Sequence, residues 1–270
     1  MEVKIYQNEI CPFNIALLDN DKYTFFVLVR IIGGVCRLTF TDHKNFIISH
    51  SAYPYPVWVW LSENAGQDEY AKVYNLLKEH FFDNNYYKIN TSYAYSEYIT
   101  KRCKSDGIEL IRTMNLLCYT CTDPIAPRNN ADGFAEVATV SNVDEIVSML
   151  NEFTVSVNEK RTEEENREKA MEMIAEKRLF LWIDKKPVAM CGYNPLKETA
   201  SINMVYTKPD ARRKGYASAL VHFLSEKLRA KGCLPLLYTD GDYQASNDCY
   251  KKIGFSLKGK LCTIDKKEVV

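Results

Sequence analysis

Along the C-terminal half of the chain, the spacing of apolar positions switches between two and about 3.6 residues, which predicts alternating strands and helices. Residues 134–140 (FAEVATV) read as a strand. Ser141 then caps a helix, with Asp144 at the capping-box position and Val143, Ile146, Val147 and Leu150 on one face. Thr162 with Glu165 forms a second capping box. It opens a charged helix within 159–178 whose apolar side carries Ala170, Met173 and Ile174. Residues 179–183 (LFLWI) and 187–193 (PVAMCGY) read as a hairpin turning through DKK, and 201–207 (SINMVYT) as a further strand. A long helix over 212–231 places Tyr216, Leu220, Leu224 and Leu228 at fourfold spacing. A strand at 234–239, a short helix at 246–253 and a closing strand at 255–264 complete this half.

The first half ends on a similar succession. Residues 57–61 (VWVWL) read as a strand, and 67–82 as a helix striped by Tyr70, Val73, Tyr74, Leu77 and Phe81. A strand at 87–91, a helix at 95–104 and a long strand or hairpin at 108–121 follow. The order strand, long helix, strand, short helix, strand therefore occurs twice. Between the two runs lies 123–133 (DPIAPRNNADG), which holds two prolines, two asparagines and a glycine, a linker composition. The expectation is two domains of one type with diverged sequence, residues 1–126 and 127–270, each of ordinary size.

Composition narrows the partners. The 35 basic and 35 acidic side chains cancel, so no electrostatic footprint for nucleic acid or an anionic membrane is expected. The longest apolar stretch, residues 25–36, is broken by Arg30 and two glycines, well short of the roughly 20 residues a span needs. The opening MEVKIYQNEI lacks the layout of a signal peptide. Nine cysteines without framework spacing read as reduced thiols, and the expected location is cytoplasmic. Cys118 and Cys121 form a CxxC, but without a second pair. The four histidines (43, 50, 80 and 222) are far apart, so no metal is expected.

Candidate chemistry concentrates in residues 205–220, VYTKPDARRKGYASAL. A strand ends at Thr207 and a helix begins near Gly215. A helix N-terminus presents unpaired N–H groups and partial positive charge. Small residues at Gly215 and Ala217 let a phosphate approach the backbone, and Arg212, Arg213 and Lys214 add charge around it. The loop is neither GxxxxGK[ST] nor GxGxxG. Downstream, in SNDCYKKIGF, Asn247 and Tyr250 are three apart and share a helix face. A phenol there can donate a proton to a leaving group, although a core tyrosine would also fit in a chain with 18 of them.

Taken together, VYTKPDARRKGYASAL, then YTD, then SNDCYKKIGF resemble the GNAT superfamily of acetyl-CoA-dependent N-acetyltransferases over residues 134–264. The resemblance implies an α/β (α+β) acyl-CoA N-acyltransferase fold with a mixed, V-splayed sheet. It implies acetyl-CoA as co-substrate, with the pyrophosphate on the N–H groups of Arg213 to Ser218, Tyr216 and Ala217 included. The pantetheine arm would pair with the backbone of Val205, Tyr206 and Thr207, and Asn247 would lie near the pantetheine or nucleotide arm. Tyr250 falls on the position of the family's usual general acid. An acetyl group would then pass to a primary amine by direct attack, with a strand N–H near Val205 or Tyr206 facing the developing oxyanion. The base is not identifiable from these residues; Glu198 and Asp240 are candidates, although each reads first as a solvated loop carboxylate. Tyr206 and Met204 could line the acceptor side or simply fill the core. The chain departs from the family at Tyr243, with Asp242 beside it, where an asparagine is frequent.

In the first half, SENAGQDEYAKVY follows VWVWL where the phosphate loop would lie, and Asp68 and Glu69 put negative charge at the helix start. This half reads as a degenerate GNAT-like copy without a cofactor loop. Covering the acceptor cleft and dimerisation are the two roles open to it. Its aromatic run from Tyr53 to Trp60 reads as sheet core, with a ligand pocket as the lesser alternative. Two competing readings of the whole remain: a non-catalytic acyl-CoA-binding or sensor module, and a transferase using a longer acyl donor. The acceptor is a small-molecule amine or a protein amine, and a homodimer is left open.

Overall fold

A computed structural model describes residues 2–128, 131–157, 159 and 161–267; Asn129 and Asn130 of the linker stretch and Lys160 of the charged segment lie outside the described residues. The chain folds as two compact units. One comprises Met1–Cys118, Thr239–Tyr243 and Lys258–Val270, and the other Tyr119–Tyr238 and Gln244–Leu257.

In the first unit the elements are β1 (Lys4–Ile10), α1 (Phe26–Ile32), β2 (Val35–Thr41), β3 (Phe46–His50), β4 (Val57–Leu61), α2 (Gln67–His80), β5 (Ile89–Thr91), α3 (Tyr93–Ser105) and β6 (Leu110–Thr120). β1 to β4 run as antiparallel neighbours, and β4 pairs in parallel with β5. The continuous apolar run VWVWL is buried nearly throughout, as expected for a strand covered on both faces. Val73, Tyr74 and Leu77 of α2 pack on Phe40, Ile48 and Val59 of the sheet. α2 satisfies its own N-terminus, since the Glu69 carboxylate accepts from the Gly66 N–H at 2.8 Å. An anion would have to displace that carboxylate.

The second unit contains β7 (Phe134–Val137), α4 (Val143–Ser156), α5 (Glu163–Ala175), β8 (Leu179–Asp184), β9 (Lys186–Leu196), β10 (Thr199–Thr207), α6 (Tyr216–Ala230), β11 (Leu234–Asp240) and α7 (Gln244–Lys252). Its strands lie in the order β11-β10-β9-β8-β7, with only the β10–β11 pair parallel. The apolar stripe of α4 (Ile146, Val147 and Leu150) meets Met173 of α5 and Leu181, Met190 and Tyr206 of the sheet. The buried stripe of α6 (Tyr216, Leu220, Leu224 and Leu228) follows the predicted fourfold spacing.

Several elements differ from the sequence reading, and four of the differences bear on the architecture. The last strand, β12 (Ser256–Lys266), pairs antiparallel with β5 through Cys262↔Thr91, Thr263↔Asn90 and Ile264↔Ile89. C-terminal residues thus complete the sheet of the first unit. Second, the first α4 cap is not Ser141. Asn142 is the helix's N-cap and makes no side-chain capping bond, while Thr139 and Asn142 box the 3-10 turn Val140–Asn142 just ahead of it, the Thr139 N–H donating to Asn142 Oδ1 at 3.0 Å. Thr139 stays extended (φ −125°, ψ 170°) as the N-cap of that turn. Third, the long helix starts at Tyr216 rather than Arg212, because Arg213 (φ 65°) and Gly215 (φ 87°) are left-handed and cannot continue a helix. Fourth, α7 begins two residues early. The Thr162 and Glu165 box forms as read, with bonds of 3.2 and 2.7 Å.

Gly254, just after α7, is also left-handed (φ 95°), and a Cβ built on it would lie 2.5 Å from the Asp123 carbonyl oxygen. Gly254→Ala combines backbone strain with a clash against main chain, for a cost of about 2–3 kcal/mol. Thermal unfolding of the variant should therefore show a midpoint lowered by roughly 4–10 °C; an unchanged midpoint would mean the Asp123 segment yields freely.

Candidate active site

β10 and β11 are paired only at Thr199↔Leu234, Ala200↔Pro235 and Ser201↔Leu236. Beyond Ser201 the ladder stops, and β10 runs on alone on that side as far as Thr207. On its other edge, the register with β9 shifts between Asn203 and Tyr206, around Met204 at φ 50°. Such a bulge re-aims the strand and increases its twist. The sheet therefore opens along the stretch that contains Val205, Tyr206 and Thr207. Asn203 Oδ1 and Thr207 Oγ1 are buried there without a hydrogen-bond partner. Orphaned polar atoms of this kind are expensive in a closed core and suit a position completed by a polar ligand.

The loop that follows β10 combines backbone strain with charge. Proline 209 starts a 3-10 turn, Arg212 is extended, and left-handed Arg213 and Gly215 flank Lys214. Alternating handedness turns successive N–H groups toward one concavity. The amides of Tyr216, Ala217 and Ser218 lie in the first turn of α6, where no intrahelical carbonyl can reach them. A Cβ on Gly215 would meet nothing nearer than the Ala131 side chain at 3.8 Å, so the backbone is open to approach. Arg213 and Lys214 are exposed. Among the described residues no carboxylate lies within 4.0 Å of either.

Arg212 is used differently from the other two cations. Its Nε donates to the Thr207 carbonyl at 3.2 Å and its guanidinium lies 5.8 Å over the Tyr206 ring, so it ties the loop back to β10. The side chain of Tyr216 also turns inward. It is buried, and its hydroxyl donates to Asp184 at the end of β8. That bond, with burial, pushes its phenol up to about 12. Tyr216 thus offers the site its amide and anchors the helix start with its ring. Ser218 Oγ lies 3.1 Å from the Cys249 thiol of α7, which burial keeps protonated above the ordinary range.

Asn247 and Tyr250 share the buried face of α7, at 2% and 7% exposure. Asn247 Oδ1 accepts from the Tyr119 hydroxyl at 3.3 Å. The Tyr250 ring lies 5.9 Å from that of Phe255. Tyr243 is exposed, and its N–H donates to the Asp240 carbonyl. Of the two carboxylates considered as a base, Glu198 stands exposed at the β9–β10 turn, about 20 Å from Val205 at strand rise. Asp240 accepts from the Asp242 N–H at 3.0 Å.

Sequence reasoning missed a nearer carboxylate. Glu152 on α4 accepts from the Tyr206 hydroxyl at 2.5 Å. Burial, then this bond, pushes the Tyr206 phenol up to about 12, so it stays protonated and donating near neutrality. Glu145, one face-repeat earlier, pairs with Lys208. The only sequence signal was the spacing of seven between the two glutamates along α4.

A β-strand that parts from its parallel neighbour above an anion-receptive helix start is the arrangement of acyl-CoA N-acyltransferase folds. Residues 143–255 match the model of the "Acetyltransferase (GNAT) family". No curated protein matches the chain. Among solved structures, a GNAT-family acetyltransferase from Colwellia psychrerythraea is similar at 15% identity and a TM-score of 0.61, covering 99% of this chain and 100% of its own. A GCN5-related N-acetyltransferase from Sphaerobacter thermophilus is similar at 12% identity and a TM-score of 0.67, with 85% and 80% covered. One from Kribbella flavida shows 13% identity and a TM-score of 0.57, with 95% and 97% covered. At these identities the likeness is one of fold, and it runs through both halves of the chain. Among the described residues no cluster of histidine, cysteine and carboxylate could hold a metal, and no helix is long and apolar enough to cross a membrane.

Proposed function

We propose that the C-terminal half transfers an acetyl group from acetyl-CoA to a primary amine. The observation that carries this reading is the loss of β10–β11 pairing beyond Ser201, directly before a loop whose backbone and cations suit a pyrophosphate. The free edge of Val205, Tyr206 and Thr207 supplies strand-like hydrogen bonds to a pantetheine arm, and the orphaned Thr207 Oγ1 lies on that stretch. The amides of Arg213 to Ser218 hold the pyrophosphate, and Asn247, fixed by Tyr119, borders the arm.

Chemically, the amine nitrogen forms a bond to the thioester carbonyl carbon and the carbon–sulfur bond breaks. The amine must lose a proton, and Glu152, beside Tyr206, is the carboxylate best placed to take it. A strand N–H near Val205 or Tyr206 faces the oxyanion, and Tyr250 protonates the departing thiolate. The N-terminal half, with Glu69 occupying its own helix start, acts as a copy without a cofactor loop. The acceptor is a small-molecule or protein amine and the setting cytoplasmic, without nucleic acid or membrane; the chain works alone or as a homodimer.

One observation favours the competing reading of a non-catalytic acyl-CoA sensor. Tyr250 is buried beside Phe255, as a core residue would be. Release of free thiol from acetyl-CoA, measured across a set of primary amines, separates the two. Amine-dependent release is expected, and it should fall with longer acyl donors. Tight binding of acetyl-CoA with no release by any amine would establish the sensor instead, and faster release from a longer acyl-CoA would move the donor assignment.

A further inference from the structure

Arg37 on β2 is a cation held in place entirely by neutral groups. Its Nη1 lies 3.1 Å from His50 Nδ1. The other ring nitrogen, Nε2, is 3.0 Å from the Tyr55 carbonyl oxygen, which can only accept, so Nε2 carries the proton and Nδ1 accepts from Arg37. His50 is fully buried, and burial together with the neighbouring guanidinium holds it neutral. The guanidinium carbon sits 4.4 Å over the Tyr53 ring, which packs edge-on against Tyr86 at 4.7 Å. Asp265 acts electrostatically on Tyr86. Among the described residues, however, no carboxylate comes within 4.0 Å of Arg37.

A guanidinium has five N–H donors. One is spent on His50, one face is spent on Tyr53, and Arg37 is among the residues lining a cleft of about 630 Å³. Its walls join Ile5 and Leu38 to the polar Gln7, Asn8, His80 and Asn84, with Phe40 fully buried beneath the His80 ring at 4.5 Å. That size is typical of a small-molecule site, and the lining combines two apolar side chains with polar groups and one charged anchor. Ordering a part-buried cation without a counter-ion is costly, and a planar fork matches a carboxylate in two parallel bonds. The accessible Ile5 and Leu38 side chains have no use for a bare inorganic anion.

We infer that this cleft in the N-terminal unit is a second ligand site, taking a small organic carboxylate whose acid group pairs with Arg37 and whose apolar body lies against Ile5 and Leu38. The site is independent of the acetyl-transfer reading, because none of its residues belongs to β10, α6 or α7.

Calorimetric titration of the full chain with 3-phenylpropionate, its neutral amide and inorganic phosphate tests it. The carboxylate should bind saturably, and the amide at least about tenfold more weakly, the usual margin for a charged hydrogen-bonded pair. Arg37→Met should reduce carboxylate affinity about tenfold or more, with Arg37→Lys between it and wild type. Ile5 is 55% exposed, so Ile5→Glu perturbs no core and should still weaken binding severalfold by placing a carboxylate at the lip. This second variant keeps the test decisive if Arg37→Met fails to fold. Saturable binding absent up to about 20 mM, equal affinity for acid and amide, or binding that survives both substitutions would overturn the proposal. Phosphate binding as tightly as the organic acid, in competition with it, would overturn the carboxylate assignment in favour of a bare anion site.

Discussion

Replacing Arg213 and Gly215 together by glutamate should reduce acetyl-CoA affinity at least about 100-fold in a calorimetric titration, which corresponds to two lost charge-assisted bonds. Gly215 is left-handed at φ 87°, and its missing side chain leaves the helix start open, with Ala131 Cβ at 3.8 Å the nearest atom to an added Cβ. A glutamate there brings a carboxylate to the place where phosphate oxygens would sit. At Arg213 the change removes a positive charge and adds a negative one beside the same amides. The partial charge of the α6 N-terminus then meets the variant's own carboxylates, as α2 already does with Glu69. Neither substitution touches the apolar core, since Arg213 is exposed and the space around Gly215 is open. The left-handed backbone at residue 215 makes its glutamate cost about 1–2 kcal/mol, so the thermal midpoint should fall by roughly 2–8 °C with the chain still folded at the temperature of the titration. Retention of wild-type affinity would remove the cofactor from this loop, and wild type that fails to bind acetyl-CoA would remove the enzyme reading altogether.

Tyr250→Phe should lower turnover by about 10²–10³-fold while leaving acetyl-CoA affinity within about twofold, the range general acid catalysis ordinarily contributes. Phenylalanine keeps the ring that packs beside Phe255 and removes the hydroxyl. Measuring kcat and the acetyl-CoA dissociation constant on the same preparations separates the two effects. A fall in kcat alone assigns the proton to Tyr250. Equal kcat in both proteins would make Tyr250 a packing residue and leave the thiolate to be protonated by solvent. A parallel loss of affinity would place the hydroxyl on the bound cofactor.

The chemistry-bearing stretch was legible because its parts are close in sequence. A strand end, a turn with Arg212, Arg213, Lys214 and Gly215, and a helix start lie within 205–220, and local backbone preferences suffice to join them. The α6 stripe and the Thr162–Glu165 cap were legible for the same reason. What stayed hidden were partnerships across long separations. Glu152 and Tyr206 are 54 positions apart, Tyr119 and Asn247 128. No periodicity marks a carboxylate on α4 as facing a particular tyrosine of β10. The inward turn of Arg212 onto Tyr206 was equally unreadable, since an arginine beside a loop can serve the ligand or the scaffold.

From residue 57 onward the sequence by itself determined the element types, their order repeated in the two halves, and the strand–loop–helix run at 205–220, because each depends on side-chain periodicity or on residues a few positions apart. Only the tertiary structure decided which sheet the last strand completes. Backbone ladder bonds are the same for any strand, so the pairing of Cys262 with Thr91 carries no local signature. It also decided where the long helix begins, through the left-handed backbone at Arg213, and where β10 leaves β11. The neutral box around Arg37 arose in the same way, from His50 and Tyr53 on a neighbouring strand and turn, whose packing rather than their spacing leaves a cation without a counter-ion.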